Sequence, residues 1–561
     1  MGLLKISGGT IYDPINGLDG VVGDVWIRDG RVIEPPRDPG IVPDRVLDAR
    51  GLVVMPGGID IHAHIAGPKV NAARKMRPED HRQAPPVVRG RWHRSGAGGS
   101  VPSTFATGYL YAGLGYTTAF DAAVPPLGAR HAHEEFHDTP VIDKGFFVLM
   151  GNNHYVLQQI ARGEYNRLRD FAAWLLGAAK GYAIKLVNPG GVEAWKAVRA
   201  GNVTRLDDPV PAFGVTPRQI VQQLARVAMD LQLPHPVHIH CNNLGLPGNW
   251  RTTLETMQAL AGLRAHLTHI QFHSYGGSLV DLAGGPQAPE AREPFCSRVA
   301  ELADFVNTHP EITVDVGQVL FGETTSMTGD GPLGYYLHRI TGRKWFNADT
   351  ELEEGCGIVP ITYRPSSSIH ALQWAIGLEW FLLVKNPWQI CMSTDHPNGG
   401  AFLAYPQIVH LLMDRDYRRA CLAKVHAKVK ERCLLADLER EYSLFEIAII
   451  TRAAPARILG LKDKGHLGPG ASGDVTVYSP SADRTAMFSF PRYVIKAGEI
   501  MLDNGEPVTE LFGRTLYVQP QFDEAALKDI RRWFEEYYTI QFANYPVDER
   551  YLDAGGRRPP A

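Results

Sequence analysis

Cysteine is scarce in this chain and is not spaced as in a redox or metal centre. Only 6 cysteines occur among 561 residues, and no two of them form a Cys-x-x-Cys pair. Zinc ribbons, iron–sulfur clusters and thioredoxin-type sites depend on such closely spaced pairs. If the protein takes part in redox chemistry, we therefore expect another protein to carry the redox centre.

An excess of charge and a long apolar segment are also absent from the sequence. The 57 lysines and arginines nearly balance the 60 aspartates and glutamates, which gives a net charge of −3. No electrostatic feature therefore favours nucleic acid or an anionic membrane as a partner. No run approaches the roughly 20 apolar residues of a membrane span, and the first residues lack the pattern of a signal peptide. We expect a cytoplasmic protein with no membrane or nucleic-acid partner.

Short β-prone runs separated by turn residues occur near both ends of the chain. Each group is too small for a stable sandwich of its own, so we expect the two ends to meet in one domain. The sequence predicts that residues 1–55 and 462–520 are the two halves of a small composite β-sandwich. The remaining 521–561 segment is expected to be a helical tail, because an apolar stripe at helical spacing follows Asp523.

The middle of the chain, residues 56–461, alternates short apolar runs with amphipathic helical patterns. This alternation predicts an α/β fold, and its length favours a (β/α)8 TIM-like barrel with insertions. Two segments exceed a minimal barrel, Ala66–Thr107 and Phe321–Arg364, and we expect them to be loops at the active-site rim. The predicted buried strands are Gly145–Met150, Tyr182–Val187, Pro236–His240, Leu267–Phe272, Thr313–Val316 and Ile390–Ser393.

A His-x-His pair, His62 and His64, ends the first predicted barrel strand. Alternate residues of a strand point to the same face, so both imidazoles can reach one metal ion. Such a pair is common on strands, but this one lies at the barrel face that carries active sites. We interpret it as a pair of metal ligands.

Lys185 interrupts an otherwise apolar predicted strand. A buried ammonium is costly, so such a lysine is paired, deprotonated or modified. A neutral amine can add CO2 to form a carbamate, whose two oxygens bridge two metal ions. The alternative is an edge-strand lysine that reaches water.

Three later strand ends carry further metal-ligating side chains. His238 and His240 end one strand, His269 and His273 end the next, and Asp395 follows an apolar strand before a turn. We favour His240 and His273, which are nearer the strand ends. We keep His238 and His269 as alternative ligands, or as residues that support the ligands from behind. Together with the earlier residues, these types suit two zinc ions.

The motifs resemble those of the amidohydrolase superfamily, in its dinuclear, carbamylated-lysine branch. Within it, the chain is similar to the family of alpha subunits of formylmethanofuran dehydrogenase and of the related formyltransferase/hydrolase complex. The resemblance spans nearly the whole chain. The motifs that carry it are VVMPGGIDIHAH (53–64), IAGPKVNAARKMRPEDH (65–81), GYAIKLVNPGG (181–191), HIHCNNLGLPGNW (238–250), THIQFHSYGG (268–277) and STDHPNGG (393–400).

This resemblance implies a site with two Zn2+ ions and a methanofuran-type coenzyme as substrate. Asp395 is the implied general acid/base of N-formylmethanofuran hydrolysis to formate and methanofuran, within a formyltransferase/hydrolase complex of one-carbon metabolism. The implied ligand assignment is His62, His64 and Asp395 on the first ion, His240 and His273 on the second, and carbamylated Lys185 bridging both.

Three alternatives remain open at this point. The same site run backwards would condense formate with methanofuran in a formylmethanofuran dehydrogenase complex, whose other subunits would then be the partners. A cyclic amidase of hydantoinase or dihydroorotase type, and a barrel scaffold that has lost its metals, are the other two. The resemblance favours the formyltransferase/hydrolase complex and its subunits.

The first insertion is rich in basic residues, and its substrate-binding candidates are Arg74, Lys75, Arg77 and His81. These cations could receive an anionic tail of a methanofuran. A solvated rim loop is the alternative interpretation.

Overall fold

The computed structural model describes residues 2–38, 40–83, 98–197, 203–278, 294–347, 352–353, 355 and 357–552. Three sheets and their surrounding helices make up this part of the chain. The helices are α1 (Pro68–Met76), α2 (Pro78–Gln83), α3 (Thr104–Ala112), α4 (Ala129–Asp138), α5 (His154–Arg162), α6 (Tyr165–Ala179), α7 (Gly191–Ala197), α8 (Pro217–Asp230), α9 (Trp250–Ala259), α10 (Val299–Thr308), α11 (Gly331–Thr341), α12 (Ser368–Leu383), α13 (Tyr405–Met413), α14 (Arg415–Leu422), α15 (Leu444–Ala448), α16 (Ala454–Leu459), α17 (Arg484–Ser489) and α18 (Ala526–Tyr537).

Strands from both ends of the chain join in one nine-stranded sheet, as the sequence predicts. Val53–Pro56 pairs in parallel with the first strand and antiparallel with Val475–Tyr478, so it connects the two halves. The strands of this sheet are β1 (Leu3–Asp13), β2 (Leu18–Arg28), β3 (Arg31–Ile33), β4 (Arg45–Asp48), β5 (Val53–Pro56), β17 (Val475–Tyr478), β18 (Tyr493–Lys496), β19 (Glu499–Asp503) and β20 (Glu506–Pro507).

Eight parallel strands form the predicted barrel, in the order β16-β12-β11-β10-β9-β8-β7-β6. An isolated parallel bridge between Ala63 and His396 brings the two edge strands together. The side chains on these strands are almost all buried, because helices cover the outside and side chains fill the inside. The strands are β6 (Gly58–Ala63), β7 (Tyr116–Val124), β8 (Asp143–Leu149), β9 (Ala183–Val187), β10 (Val237–His240), β11 (Ala265–Leu267), β12 (Ile312–Asp315) and β16 (Ile390–Cys391).

The two predicted rim loops are not loops in the part that is described. The first contains α1, α2 and the start of α3, and the second contains α11 and a three-stranded antiparallel sheet. That sheet consists of β13 (Gly322–Thr328), β14 (Phe346–Asn347) and β15 (Gly357–Tyr363). Its antiparallel strands pair with each other, so the insertion adds a separate layer to the barrel rim.

The predicted strand Leu267–Phe272 is also wrong in its second half. β11 ends at Leu267, and His269 turns the chain with a left-handed backbone φ of +34°. A 3₁₀ turn, Ile270–His273, follows. His269 and His273 therefore lie on a turn beyond the strand rather than on the strand itself.

A buried ionic cluster connects the barrel to the nine-stranded sheet. Asp143 on β8 and Asp474 before β17 each contact both Lys464 and Lys496, at 2.6–2.9 Å. The four side chains are nearly inaccessible to solvent, and each charge has an oppositely charged partner, as burial requires.

The C-terminal helix packs on the barrel of its own chain. Ile530, Trp533 and Phe534 of α18 are buried, and the helix contacts α6. The Phe534 ring lies 5.5 Å from the ring of Trp174, edge to face. Among the described residues, no helix combines the length and apolar character needed to cross a membrane.

Candidate active site

The first cluster of predicted ligands forms where β6 and β16 end, side by side. His62 Nε2 and His64 Nε2 lie 2.9 and 3.1 Å from the same oxygen, Oδ1 of Asp395. Neither His62 Nε2 nor Asp395 Oδ1 makes a hydrogen bond within the described part of the chain. Two nitrogens and a carboxylate that converge without bonding to one another form a group that could hold a metal ion.

Asp395 is held in an unusual backbone conformation. Its φ is +51°, in the left-handed region that non-glycine residues rarely occupy. Burial alone would raise the pKa of its carboxyl group, but the nearby imidazoles of His269 and His62 bring that pKa well below the ordinary value. The side chain is therefore an anion in the barrel mouth.

Lys185 lies within the barrel on β9 and is 1% exposed. Its Nζ has no hydrogen-bond partner among the residues described. Burial lowers the pKa of this amine to about 7, although the carboxylates of Asp315 and Asp395 oppose that effect. A substantial fraction of the side chain is therefore a neutral amine near neutral pH.

The second group of predicted ligands is a set of three histidines. The ring of His269 lies 4.7 Å from that of His240 and 5.2 Å from that of His62. His273 lies 5.3 Å from both His240 and His269. Both histidines that follow β11 thus lie at the site, so the structure leaves either of them available as a ligand beside His240.

His238 is placed behind His62 rather than beside Asp395. Its two ring nitrogens lie 2.9 Å from His62 Nδ1 and 2.9 Å from His235 Nε2. Burial lowers the pKa of the His238 imidazole well below the ordinary value, so the ring is neutral.

The sequence analysis missed Asp315, which lies beneath the site at the end of β12. Its carboxylate lies 3.5 Å from His62 Nδ1 and 3.1 Å from His266 Nε2, and it accepts a hydrogen bond from the His269 backbone N–H. An aspartate at the end of the predicted Thr313–Val316 strand was the available signal. These contacts orient His62, a predicted ligand, and fix the backbone where the chain leaves β11.

Two further carboxylates that the sequence analysis missed support the rim. Asp121 on β7 accepts hydrogen bonds from the backbone of Ile65 and Ala66 and from Lys69 Nζ, so it fixes the chain just after His64. Asp330, which caps α11, lies 3.4 Å from His240 Nε2. It thereby connects the inserted helix to the second histidine group.

A cavity of about 490 Å³ opens beside Asp395. Its wall comes mainly from α11, β15, α12 and the turns after β10 and β11. Most of its side chains are apolar, including Phe272, Phe295, Leu333 and Ile361, whereas Asp395 and Asn398 are polar. A ligand with an apolar body and a polar end directed at Asp395 would fit this arrangement.

The predicted substrate-binding residues of the first insertion do not belong to the described wall of this cavity. Arg77 is buried and donates to the Thr324 carbonyl and to Glu323, while Arg74 donates to the Pro102 carbonyl. Lys75 is exposed. The side chain of His81 lies outside the described residues. Arg74 and Arg77 thus stabilise the insertion, and a role in substrate binding stays a prediction.

A buried (β/α)8 barrel with these strand-end ligands is typical of the amidohydrolases. The amidohydrolase family model matches residues 45–502. The chain therefore belongs to the amidohydrolase family.

Its relatives confirm the closer resemblance as well. The chain is 46% identical to Protein FwdA of Methanocaldococcus jannaschii, over 98% of this chain and 97% of that protein. It is 39% identical to the alpha subunit of the formyltransferase/hydrolase complex Fhc of Methylorubrum extorquens, over 98% of this chain and 97% of that protein. A chain of the crystal structure of the FhcABCD complex from that organism, in complex with methylofuran, superimposes with a TM-score of 0.92 at 37% identity, and the match covers 100% of both chains.

Proposed function

We propose that this protein is a dinuclear zinc hydrolase of N-formyl amides that releases formate from a formylated methanofuran-type coenzyme. The observation that carries this proposal is the position of Asp395. The residue belongs both to the converging ligand group and to the wall of the apolar cavity. A substrate in the cavity therefore meets the ligand group at this carboxylate.

The side chains at the barrel mouth fit two zinc ions. Imidazole nitrogens and carboxylate oxygens are ordinary zinc ligands, and several of these buried atoms make no hydrogen bond within the described ranges. We assign His62, His64 and Asp395 to one ion, His240 with His273 or His269 to the other, and Lys185 as a carbamate to both. The atoms without partners are His62 Nε2, Lys185 Nζ, His240 Nε2, His269 Nδ1, both ring nitrogens of His273, and Asp395 Oδ1.

Bound zinc would supply two things, a water of lowered pKa and polarisation of the formyl carbonyl. Asp395 is ionised in the folded protein, so it can accept a proton from that water and deliver it to the departing amine. The apolar cavity holds the non-reacting part of the substrate and excludes bulk water from Asp395. The products are formate and the free amine of the coenzyme.

The reverse condensation of formate with the amine is the second candidate. The same side chains serve both directions, because a reaction and its reverse share one transition state. We infer that partner subunits decide the direction, and we favour the hydrolytic one, in a formyltransferase/hydrolase complex. The similarity to the alpha subunit of such a complex supports this choice of partners.

The test is formate release from an N-formylated methanofuran-type coenzyme by the purified full-length protein with its co-purifying subunits. We expect two zinc ions per chain and a loss of about 10²–10⁴-fold in Asp395→Asn, the usual effect of removing a general acid/base. Asp416→Asn is the matched control, since Asp416 is exposed at the start of α14.

Other outcomes discriminate between the alternatives. Turnover of a cyclic amide without formate release would favour a cyclic amidase instead. Almost no bound metal, in protein that is folded and stable, would favour a barrel that serves as a scaffold.

A further inference from the structure

A row of buried histidines runs from His62 to the backbone of a barrel helix. His62 Nδ1 lies 2.9 Å from His238 Nε2, and His238 Nδ1 lies 2.9 Å from His235 Nε2. His235 Nδ1 in turn lies 3.0 Å from the carbonyl oxygen of Ile458 on α16. The three rings are at most 1% exposed.

The carbonyl end gives this row a direction. A carbonyl oxygen can only accept, so His235 Nδ1 must carry the hydrogen. A neutral imidazole has one donor and one acceptor, and full burial of His235 and His238 favours the neutral form. His235 Nε2 is therefore an acceptor, His238 Nδ1 donates to it, and His238 Nε2 is an acceptor in its turn.

The consequence reaches the proposed metal ligand. His62 must donate from Nδ1 to His238, which leaves the lone pair of His62 at Nε2. That nitrogen is the one that lies 2.9 Å from Asp395 Oδ1. The ring therefore presents a lone pair, rather than an N–H group, to the ligand cluster.

The other neighbours of His62 Nδ1 do not fix this tautomer as firmly. The hydroxyl of Thr268 is close enough to hydrogen-bond, but a hydroxyl either donates or accepts and so fits both tautomers. Asp315 can only accept, which agrees with the same tautomer, but its oxygen lies 3.5 Å away.

We propose that His235 and His238 are positioning residues that hold His62 in the tautomer able to bind a cation. This inference rests on the proposed function, since it concerns a proposed zinc ligand. Metal-ligating histidines commonly donate their second N–H to a fixed acceptor, and loss of that acceptor weakens metal affinity by about 10–100-fold. Here a neutral imidazole is the acceptor, so the tautomer is fixed without another negative charge beside Asp315 and Asp395.

Paired variants separate the hydrogen bonds from the packing of the rings. His238→Phe keeps a buried ring and removes both hydrogen bonds. His238→Gln can retain both, because its amide nitrogen donates towards His235 and its amide oxygen accepts from His62. His235→Leu and His235→Gln form the same pair one position further along the row.

The measurement is zinc affinity of the full-length protein, by competition with a chromophoric chelator, together with the absorption spectrum of the Co2+-loaded protein. We expect about 10–100-fold weaker zinc binding for His238→Phe and His235→Leu, with an altered Co2+ spectrum. Both glutamine variants should bind zinc within about threefold of wild type, as expected when the hydrogen bond behind the ligand is retained.

Each outcome decides one question. Wild-type affinity in His238→Phe or His235→Leu overturns the inference and leaves the proposed function intact, as does equal weakening in the apolar and glutamine variants. A wild-type protein that binds no zinc contradicts the proposed function itself. If His238→Phe does not fold, judged by circular dichroism, the His235 pair gives the answer.

Discussion

Glu379 on α12 should make the stability of this protein fall as the pH rises towards neutrality. Its carboxyl group is fully buried and accepts hydrogen bonds from Ser297 Oγ and from the backbone N–H of Leu434. Burial raises the pKa of Glu379 from about 4.5 to about 7, more than these hydrogen bonds lower it. The position matters for the site, because α12 also carries His370 and Gln373 on the cavity wall.

The sign follows from which state holds the proton more tightly. Between about pH 4.5 and pH 7 the folded protein keeps the Glu379 proton that the unfolded chain has already lost. The stabilisation is therefore complete below the unfolded pKa and is lost as the pH rises through the folded pKa. The two pKa values differ by about 2.5, which corresponds to about 3 kcal/mol at most.

The assay is the melting temperature of wild type and Glu379→Gln, measured by scanning calorimetry from pH 5 to pH 8.5. A chain of this length unfolds with an entropy of about 1.2 kcal/mol/K, so about 3 kcal/mol corresponds to about 2–3 °C. We expect Glu379→Gln to gain about 2–3 °C on wild type between the two ends of that range. Glu524→Gln, at an exposed position, is the control and should run parallel to wild type. A constant difference between Glu379→Gln and wild type at every pH would refute this account of the buried carboxyl.

Three further predictions concern the site and its surroundings. Removal of bound metal with a chelator should lower the melting temperature, because Asp395 is then a buried anion without its cation, and added zinc should restore it; an unchanged melting temperature would contradict the metal assignment. Gly334→Ala would place a Cβ against the Gly357 Cα, inside van der Waals contact, so it should cost about 1–3 kcal/mol and raise KM more than it lowers kcat, since α11 forms cavity wall; steady-state kinetics and thermal melts check both effects. Trp533→Ala should cost about 3–5 kcal/mol with zinc content unchanged, because the ring is buried against Tyr155 on α5 rather than against the ligands; loss of zinc in folded protein would show that the helix acts on the site.

The barrel could be predicted from the sequence because its strands are short apolar runs between amphipathic helices. The segments around Pro236–His240 and Thr313–Val316 illustrate this, since both contain strands of the barrel. The predicted strand Leu267–Phe272 failed at His269, whose left-handed backbone would normally be expected of glycine or asparagine. A histidine in that conformation gives no local signal, because the surrounding structure imposes it.

The insertions could not be predicted for a different reason. In Phe321–Arg364 the strands pair only with one another, and part of the packing depends on Gly334 and Gly357, whose backbones touch. Such a contact joins residues that are distant in sequence and carry no chemistry of their own. The sequence therefore located the insertion correctly but gave no indication of its fold.

The site residues divide along a physical line that the sequence could not show. His62, His240 and His273 were predicted from strand position, and each has a ring nitrogen that lacks a partner among the residues described. His235 and His266 look the same in sequence, yet both nitrogens of each are occupied, by His238 and Ile458 or by Thr313 and Asp315.

A buried imidazole whose two nitrogens are both occupied has no lone pair left for a cation, whereas a buried nitrogen without a partner is costly unless a cation binds it. The same test applies to Asp395, whose Oδ1 lacks a hydrogen bond within the described ranges, and to Asp315, whose carboxylate accepts from Ser393 and from the His269 backbone. It places Asp395 with the ligands and Asp315 with the groups that orient them. Hydrogen-bond occupancy, which only the closed barrel determines, is thus what separates the side chains that bind metal in the proposed site from those that hold them in place.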